Sequence, residues 1–287
     1  MNTVIFFVLK QRKCIWRKNA LKELVFVGLG LFDEKDISLR GLEELKEADT
    51  VFIEFYTSLM PGFCIRKLEE NIKKEIIVVS RNMLEEEDGQ QLFEAAKKGK
   101  VVFLVQGDPL IATTHVDLRI SAVKRGIKTR VIHGASVVSA VRGISGLQNY
   151  KFGKSVTIPF SEEGFISETP YNVIRDNKKM GLHTMCYLDI KAEEKKYLTI
   201  NEALNILLTI EKQKKEQVIT AKTLVVGVAR AGSQQPVIKA GYVEEIKNYD
   251  FGEPPHTLIF SGRLHFMEAE ALITLANAPQ NVKEQVE

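Results

Sequence analysis

The chain has only three cysteines, Cys14, Cys64 and Cys186, scattered over 287 residues. They form no C-x-x-C pair and are odd in number, so neither a disulfide framework nor a structural zinc site is supported, and a reducing cytoplasm is expected. Charge of one sign is equally scarce. The 40 Lys and Arg residues face 37 Asp and Glu, a net +3. That is far from the concentrated basic footprint of a dedicated nucleic-acid binder, and no direct nucleic-acid contact is expected. There is no G-x-S-x-G elbow, no P-loop and no H-E-x-x-H, and His, Cys and carboxylates do not cluster at metal-ligand spacing. Hydrolysis by an activated nucleophile or a bound metal is therefore poorly supported, and no metal site is expected.

The one segment that looks like a targeting signal is "VIFFVL" (4–9), followed by the basic "KQRKCIWRK". It is too short to cross a bilayer, which takes about 20 apolar residues. A secretory signal would place its positive charges before the apolar stretch. Residues 1–23 are expected to be an N-terminal extension, not a membrane anchor.

At 45% hydrophobic residues the chain can bury a sizeable core, and its length allows two domains. From Leu24, short apolar runs alternate with amphipathic stretches, which predicts βαβ units on a mainly parallel sheet. The strands expected are "LVFVG" (24–28), "TVFIE" (50–54), "IIVVS" (76–80), "VVFLV" (101–105) and "TRVIH" (129–133). Ser38 caps an expected helix carrying Leu39, Leu42 and Leu45, and Gly126 ends another. Beyond residue 150, "KSVTIPF", "HTMCYLDI", "TLVVGVAR", "PVIKAGYVEEI" and "TLIFSG" read as strands that helices only sometimes separate. That pattern predicts a second α/β domain with a mixed sheet, giving domains at 24–150 and 151–287. Thr199 and Glu202 form a capping box ahead of a stripe of Ala203, Leu204, Leu207 and Leu208, and "EKQKKEQ" reads as a solvated helix end.

Glycine-bearing loops follow several of these strands. Gly28-Leu29-Gly30 invites a dinucleotide reading, but the third glycine of that fingerprint is replaced by Asp33. Gly107-Asp108-Pro109 follows the fourth strand at the sheet edge where ligands bind. Asp108 reads equally well as the cap of a turn or as a ligand contact. Gly134, Ala135 and Ser136 repeat the arrangement one strand later, with Ser136 a helix cap if not a ligand contact. "VARAGS" (228–233) and "FGEPPHTLIF" (251–260) supply two more such loops. His133, His183 and His265 read as core or surface groups, and the cleft these loops suggest has few charged groups.

Together, "VGLGLFDEKDIS", "EFYTSLMPG", "GDPLIATTH", "YKFGKS", "GLHTMCYLDIKAE", "ARAGS" and "GYVEEIKNYDFGEPPHTLIF" resemble the diphthine synthase family, within the tetrapyrrole-methylase-like methyltransferases. The resemblance runs from about Leu24 to Pro279. It implies a homodimer of two-domain subunits with S-adenosylmethionine in the cleft between domains. Leu31, Asp108, Ile111, Ser136 and Val137 would contact the cofactor from the first domain, and Leu188, Ala231 and His256 from the second. The implied substrate is translation elongation factor 2, carrying a histidine extended by a 3-amino-3-carboxypropyl group whose amine is trimethylated to give diphthine. Only Glu194, Lys195 and Lys196 lie where eukaryotic members carry an insertion, which points to the archaeal branch. Family members start near the position of Leu24, so the first 20 or so residues are either a real extension or lie ahead of a later start at a non-AUG codon, the second being the favoured expectation. No general base is evident, and Asp108 is expected to orient the cofactor. The competing readings are methylation of a small tetrapyrrole and non-catalytic nucleotide binding.

Overall fold

The computed structural model describes residues 22–162 and 165–286; the expected extension lies almost wholly outside them. The first part of the chain runs β1 (Glu23–Gly28), α1 (Leu39–Glu47), β2 (Thr50–Glu54), α2 (Ile65–Ile72), β3 (Ile77–Val79), α3 (Arg81–Glu85), α4 (Gln90–Ala96), β4 (Lys100–Val105), α5 (His115–Lys124), β5 (Lys128–Ile132) and α6 (Val137–Ser145). The rest runs β6 (Val156–Ile158), α7 (Thr169–Lys179), β7 (Thr184–Leu188), β8 (Ile190–Lys191), β9 (Lys196–Tyr197), α8 (Ile200–Lys214), β10 (Leu224–Ala229), β11 (Val237–Tyr242), α9 (Val243–Ile246), β12 (His256–Phe260) and α10 (Phe266–Ala276).

β1 to β5 form one sheet in the order β3-β2-β4-β1-β5, every pair parallel. β1 and β4 are buried along their whole length because helices cover both faces, which is why they are nearly continuous apolar runs. The second sheet has the order β11-β10-β12-β7-β6, antiparallel except between β6 and β7. The mixed α/β architecture expected from the alternation is thus the one observed. Where eukaryotic insertions were expected to be missing, β8 and β9 pair as a tight hairpin that turns through Lys195 in a left-handed conformation.

The helix starts expected at Ser38 and Thr199 are both capped. Ser38 Oγ accepts the Gly41 N–H, and Thr199 and Glu202 form a reciprocal capping box. Gly126, with φ +73°, follows the end of α5. Four details differ. Leu39 is 82% exposed, so the buried stripe of α1 consists of Leu45 and the partly buried Leu42. Only Ile77–Val79 of "IIVVS" pair, because β3 is an edge strand with solvent on one side. The strand "PVIKAGYVEEI" ends at Tyr242 and turns helical at Val243. Within "EKQKKEQ", Glu211 points inward and accepts hydrogen bonds from Tyr171 Oη and the amides of Gln217, Val218 and Ile219. Burial alone would raise its carboxyl pKa, but those four donors outweigh it and hold the group below the ordinary range.

The edge of the first sheet at the starts of its strands carries an ion network. Arg130 bonds Glu23 at 2.9 Å and Glu44 at 2.6 Å, and Lys100 bonds Glu44 at 2.7 Å. The opposite edge, at the strand ends, carries loops. Among the described residues no helix is long and apolar enough to cross a membrane.

Candidate active site

The loops after β1, β2, β4 and β5 meet loops of the second sheet around a cleft of about 350 Å³, within the roughly 300–1,000 Å³ usual for small-molecule sites. Three glycines bring the strand ends together. A Cβ on Gly28 would stand 2.5 Å from the Gly107 carbonyl oxygen and 2.6 Å from the Gly134 nitrogen. A Cβ on Gly134 would collide with the same carbonyl, so only glycine lets these three backbones touch. Gly30 and Gly107, at φ +86° and +68°, pair as an isolated bridge with Gly107 donating to Gly30 at 2.7 Å.

The Gly-Leu-Gly turn therefore packs strand ends and does not present a phosphate nest. The Leu31 and Phe32 amides, which a dinucleotide would need, both donate to Asp36 Oδ2 at 3.1 and 2.7 Å. Those bonds turn the Leu31 side chain toward the second half of the molecule. There Gly232 is so close that a Cβ would strike the Leu31 Cβ.

Asp108 is 5% exposed and performs two tasks. Its Oδ1 accepts the Leu110 N–H at 3.0 Å, the turn-capping role, while His133 Nδ1 donates to Oδ2 at 2.7 Å. His133 is the surface group its sequence context suggests, with a side chain 72% exposed, and its ring is also the partner of the carboxylate. Ile111 follows in the same loop, and Ala112 adopts a left-handed conformation with φ +57°. Ser136 caps α6 by accepting the Val138 N–H, and Val137 opens the helix.

From the second sheet come Leu188 at the end of β7, Ala231 in the loop after β10, and His256 at the start of β12. Both ring nitrogens of His256 are engaged, Nδ1 accepting from the Ile200 amide and Nε2 donating to the Gly252 carbonyl. Burial pushes its pKa down. Its ring thus braces the loop. Leu31, Asp108, Ile111, Ser136, Val137, Leu188, Ala231 and His256 all line this one cleft.

The cleft is more polar than its loops suggested. Arg81 and Glu85, on α3, line it as an ion pair 3.2 Å apart, and Tyr56 lines it beneath the Arg81 guanidinium. Behind Tyr56 lie two buried titratable groups. Glu54 accepts the Tyr56 and Thr57 amides and the Thr57 hydroxyl, yet burial outweighs these bonds and raises its pKa. His115, at the start of α5, is pushed down to about 4 by burial, and its Nε2 lies 3.3 Å from Tyr56 Oη. These residues carried no signal of their own: Tyr56 and His115 are 59 positions apart.

The family description Tetrapyrrole (Corrin/Porphyrin) Methylases matches residues 23–247. A diphthine synthase of Methanosarcina mazei is 49% identical over 269 residues, covering 92% of this chain and all of the relative. One from Methanococcoides burtonii is 51% identical with the same coverage. A crystal structure of diphthine synthase superposes with a TM-score of 0.83 at 42% identity, covering 92% of this chain and 99% of that one. A putative diphthine synthase from Entamoeba histolytica superposes with a TM-score of 0.81 at 37% identity, covering 90% and 99%. The chain belongs to the diphthine synthase family of tetrapyrrole methylases.

Proposed function

We propose that this methyltransferase binds S-adenosylmethionine in the cleft and trimethylates the amine of the 3-amino-3-carboxypropyl histidine of elongation factor 2, giving diphthine without methylating the carboxylate. The observation that carries this reading is the convergence of the eight residues named above, drawn from separate loops of both halves, on one cleft. We extend the reading to a cytoplasmic homodimer of two-domain subunits, divided near residue 150, with no direct nucleic-acid partner. The homodimer of two-domain subunits rests on the family resemblance, the boundary on the change of strand pattern near residue 150, and the rest on the scattered cysteines and balanced charge.

The side chains present fit such a cofactor. Gln106 Oε1 is buried in the cleft wall with no hydrogen-bond partner among the described residues, an acceptor ready for a ligand donor. The glycine cradle lets a ligand approach backbone closely, and Leu31, Ile111, Val137 and Leu188 supply apolar walls. Asp108 would hold a polar group of the cofactor, its carboxylate fixed by His133. Bound there, the cofactor supplies an electrophilic methyl group, whose transfer to an amine moves one positive charge from sulfur to nitrogen. No large new charge has to be stabilised, so the residues of the cleft act mainly by positioning, which can contribute up to roughly 7–11 kcal/mol.

Methylation of a small tetrapyrrole would use the same fold, but the relatives above are named diphthine synthases. Nucleotide binding through the Gly-Leu-Gly turn is disfavoured because the Leu31 and Phe32 amides that follow it are engaged by Asp36. Incubation with labelled methyl donor separates these readings. The label should enter elongation factor 2 bearing the extended histidine; entry into a porphyrinoid instead, or ligand binding with no transfer, would refute the proposal.

A further inference from the structure

The hydrogen atoms around Tyr56 can be placed by elimination. The Pro109 carbonyl oxygen can only accept, and it lies 3.3 Å from His115 Nδ1, so that nitrogen carries the ring hydrogen. His115 is 1% exposed, and its depressed pKa of about 4 leaves it a single ring hydrogen near neutrality. Nε2 is therefore bare. The Tyr56 hydroxyl, 3.3 Å from it, must donate. A phenol has one hydrogen, so what remains to the Tyr56 oxygen is acceptance alone.

The surroundings hold this arrangement in place. Glu54 anchors the Tyr56 and Thr57 amides at 2.8 and 3.0 Å, and the His115 ring packs edge-on against Phe103 with centroids 5.1 Å apart. Tyr56 shares the cleft with Asp108 and Ile111.

We propose that the Tyr56 oxygen is the acceptor that holds an N–H of the substrate amine, and that His115 is the positioning residue that keeps it acceptor-only. This rests on the functional reading above. A freely rotating hydroxyl could donate to the nitrogen lone pair and block the nucleophile. A hydroxyl committed to His115 cannot. It takes an N–H and leaves the lone pair free to attack.

Counting N–H bonds gives the proposal a distinctive consequence. The neutral primary amine has two, the monomethylated amine one and the dimethylated amine none. Tyr56 can therefore assist the first and second methylations but not the third.

The test is a time course with elongation factor 2 bearing the extended histidine, resolving the un-, mono-, di- and trimethylated species by mass spectrometry. In Tyr56→Phe the first two steps should slow roughly tenfold, with the third step and S-adenosylmethionine affinity unchanged. His115→Phe, which frees the hydroxyl, should reproduce the asymmetry, so either variant tests the proposal if the other folds poorly. Equal slowing of all three steps, or no slowing, in the folded variants would overturn the proposal. No methylation by the wild-type enzyme would overturn the functional reading, and this proposal with it.

Discussion

Asp108 Oδ2 and His133 Nδ1 meet at 2.7 Å although they follow strands that are not neighbours. β1 lies between β4 and β5, and it ends at Gly28, over which Gly107 and Gly134 close. A side chain at Gly28 would push apart the two loops that carry the carboxylate and the imidazole. The pair is thus a product of the three-glycine contact.

This arrangement separates the two tasks of Asp108. Asp108→Asn keeps an oxygen for the Leu110 amide but loses the charge, whereas Asp108→Ala loses both. Calorimetric affinity for S-adenosylmethionine should fall about tenfold or more in Asp108→Asn, the range for a lost charge-assisted bond, and further in Asp108→Ala. Unchanged affinity in both would remove Asp108 from the site.

The glycine contact makes its own prediction. Gly134→Ala forces a Cβ against the Gly107 carbonyl and within 2.9 Å of Gly28 Cα, and should cost about 1–3 kcal/mol. Gly143→Ala, within α6 and facing open space, should instead stabilise by about 0.5–1 kcal/mol. Chemical denaturation of the two variants checks the opposite signs; the same sign for both would contradict the packing account.

A pH prediction comes from α10, beside the second sheet. Glu268, fully buried, accepts from His183, Lys151 and the amides of His265 and Gln148. Burial alone would raise its pKa, but those donors hold it down at about 2, against an ordinary 4.5. A depressed carboxyl stabilises the fold above its unfolded value, and that contribution is lost as pH falls through the folded one. Melting temperature should therefore drop between pH 4.5 and about 2. Glu268→Gln should lose about 3–5 kcal/mol at pH 7 and show a shallower slope in that window. Parallel wild-type and variant curves would contradict the account.

Much of the fold was legible because its signals are local. Buried parallel strands must be apolar on both faces, and Ser38 and the Thr199–Glu202 box satisfy amides one turn away. Leu39 misled because helical spacing identifies a stripe without saying how far a neighbouring layer extends. The loops at residues 28–31, 107–111, 134–137, 228–233 and 251–256 were visible as strand ends, and they do share one cleft. Their partners were not visible. Tyr56 meets His115, and Asp108 meets His133, only after strand order brings distant loops together.

The most direct measurement is mass spectrometry of the histidine-bearing peptide of elongation factor 2 after incubation with this enzyme and S-adenosylmethionine. The account predicts three methyl groups, all on the amine of the 3-amino-3-carboxypropyl chain and none on its carboxylate. A peptide that gains no methyl group, or gains one on the carboxylate, would contradict it.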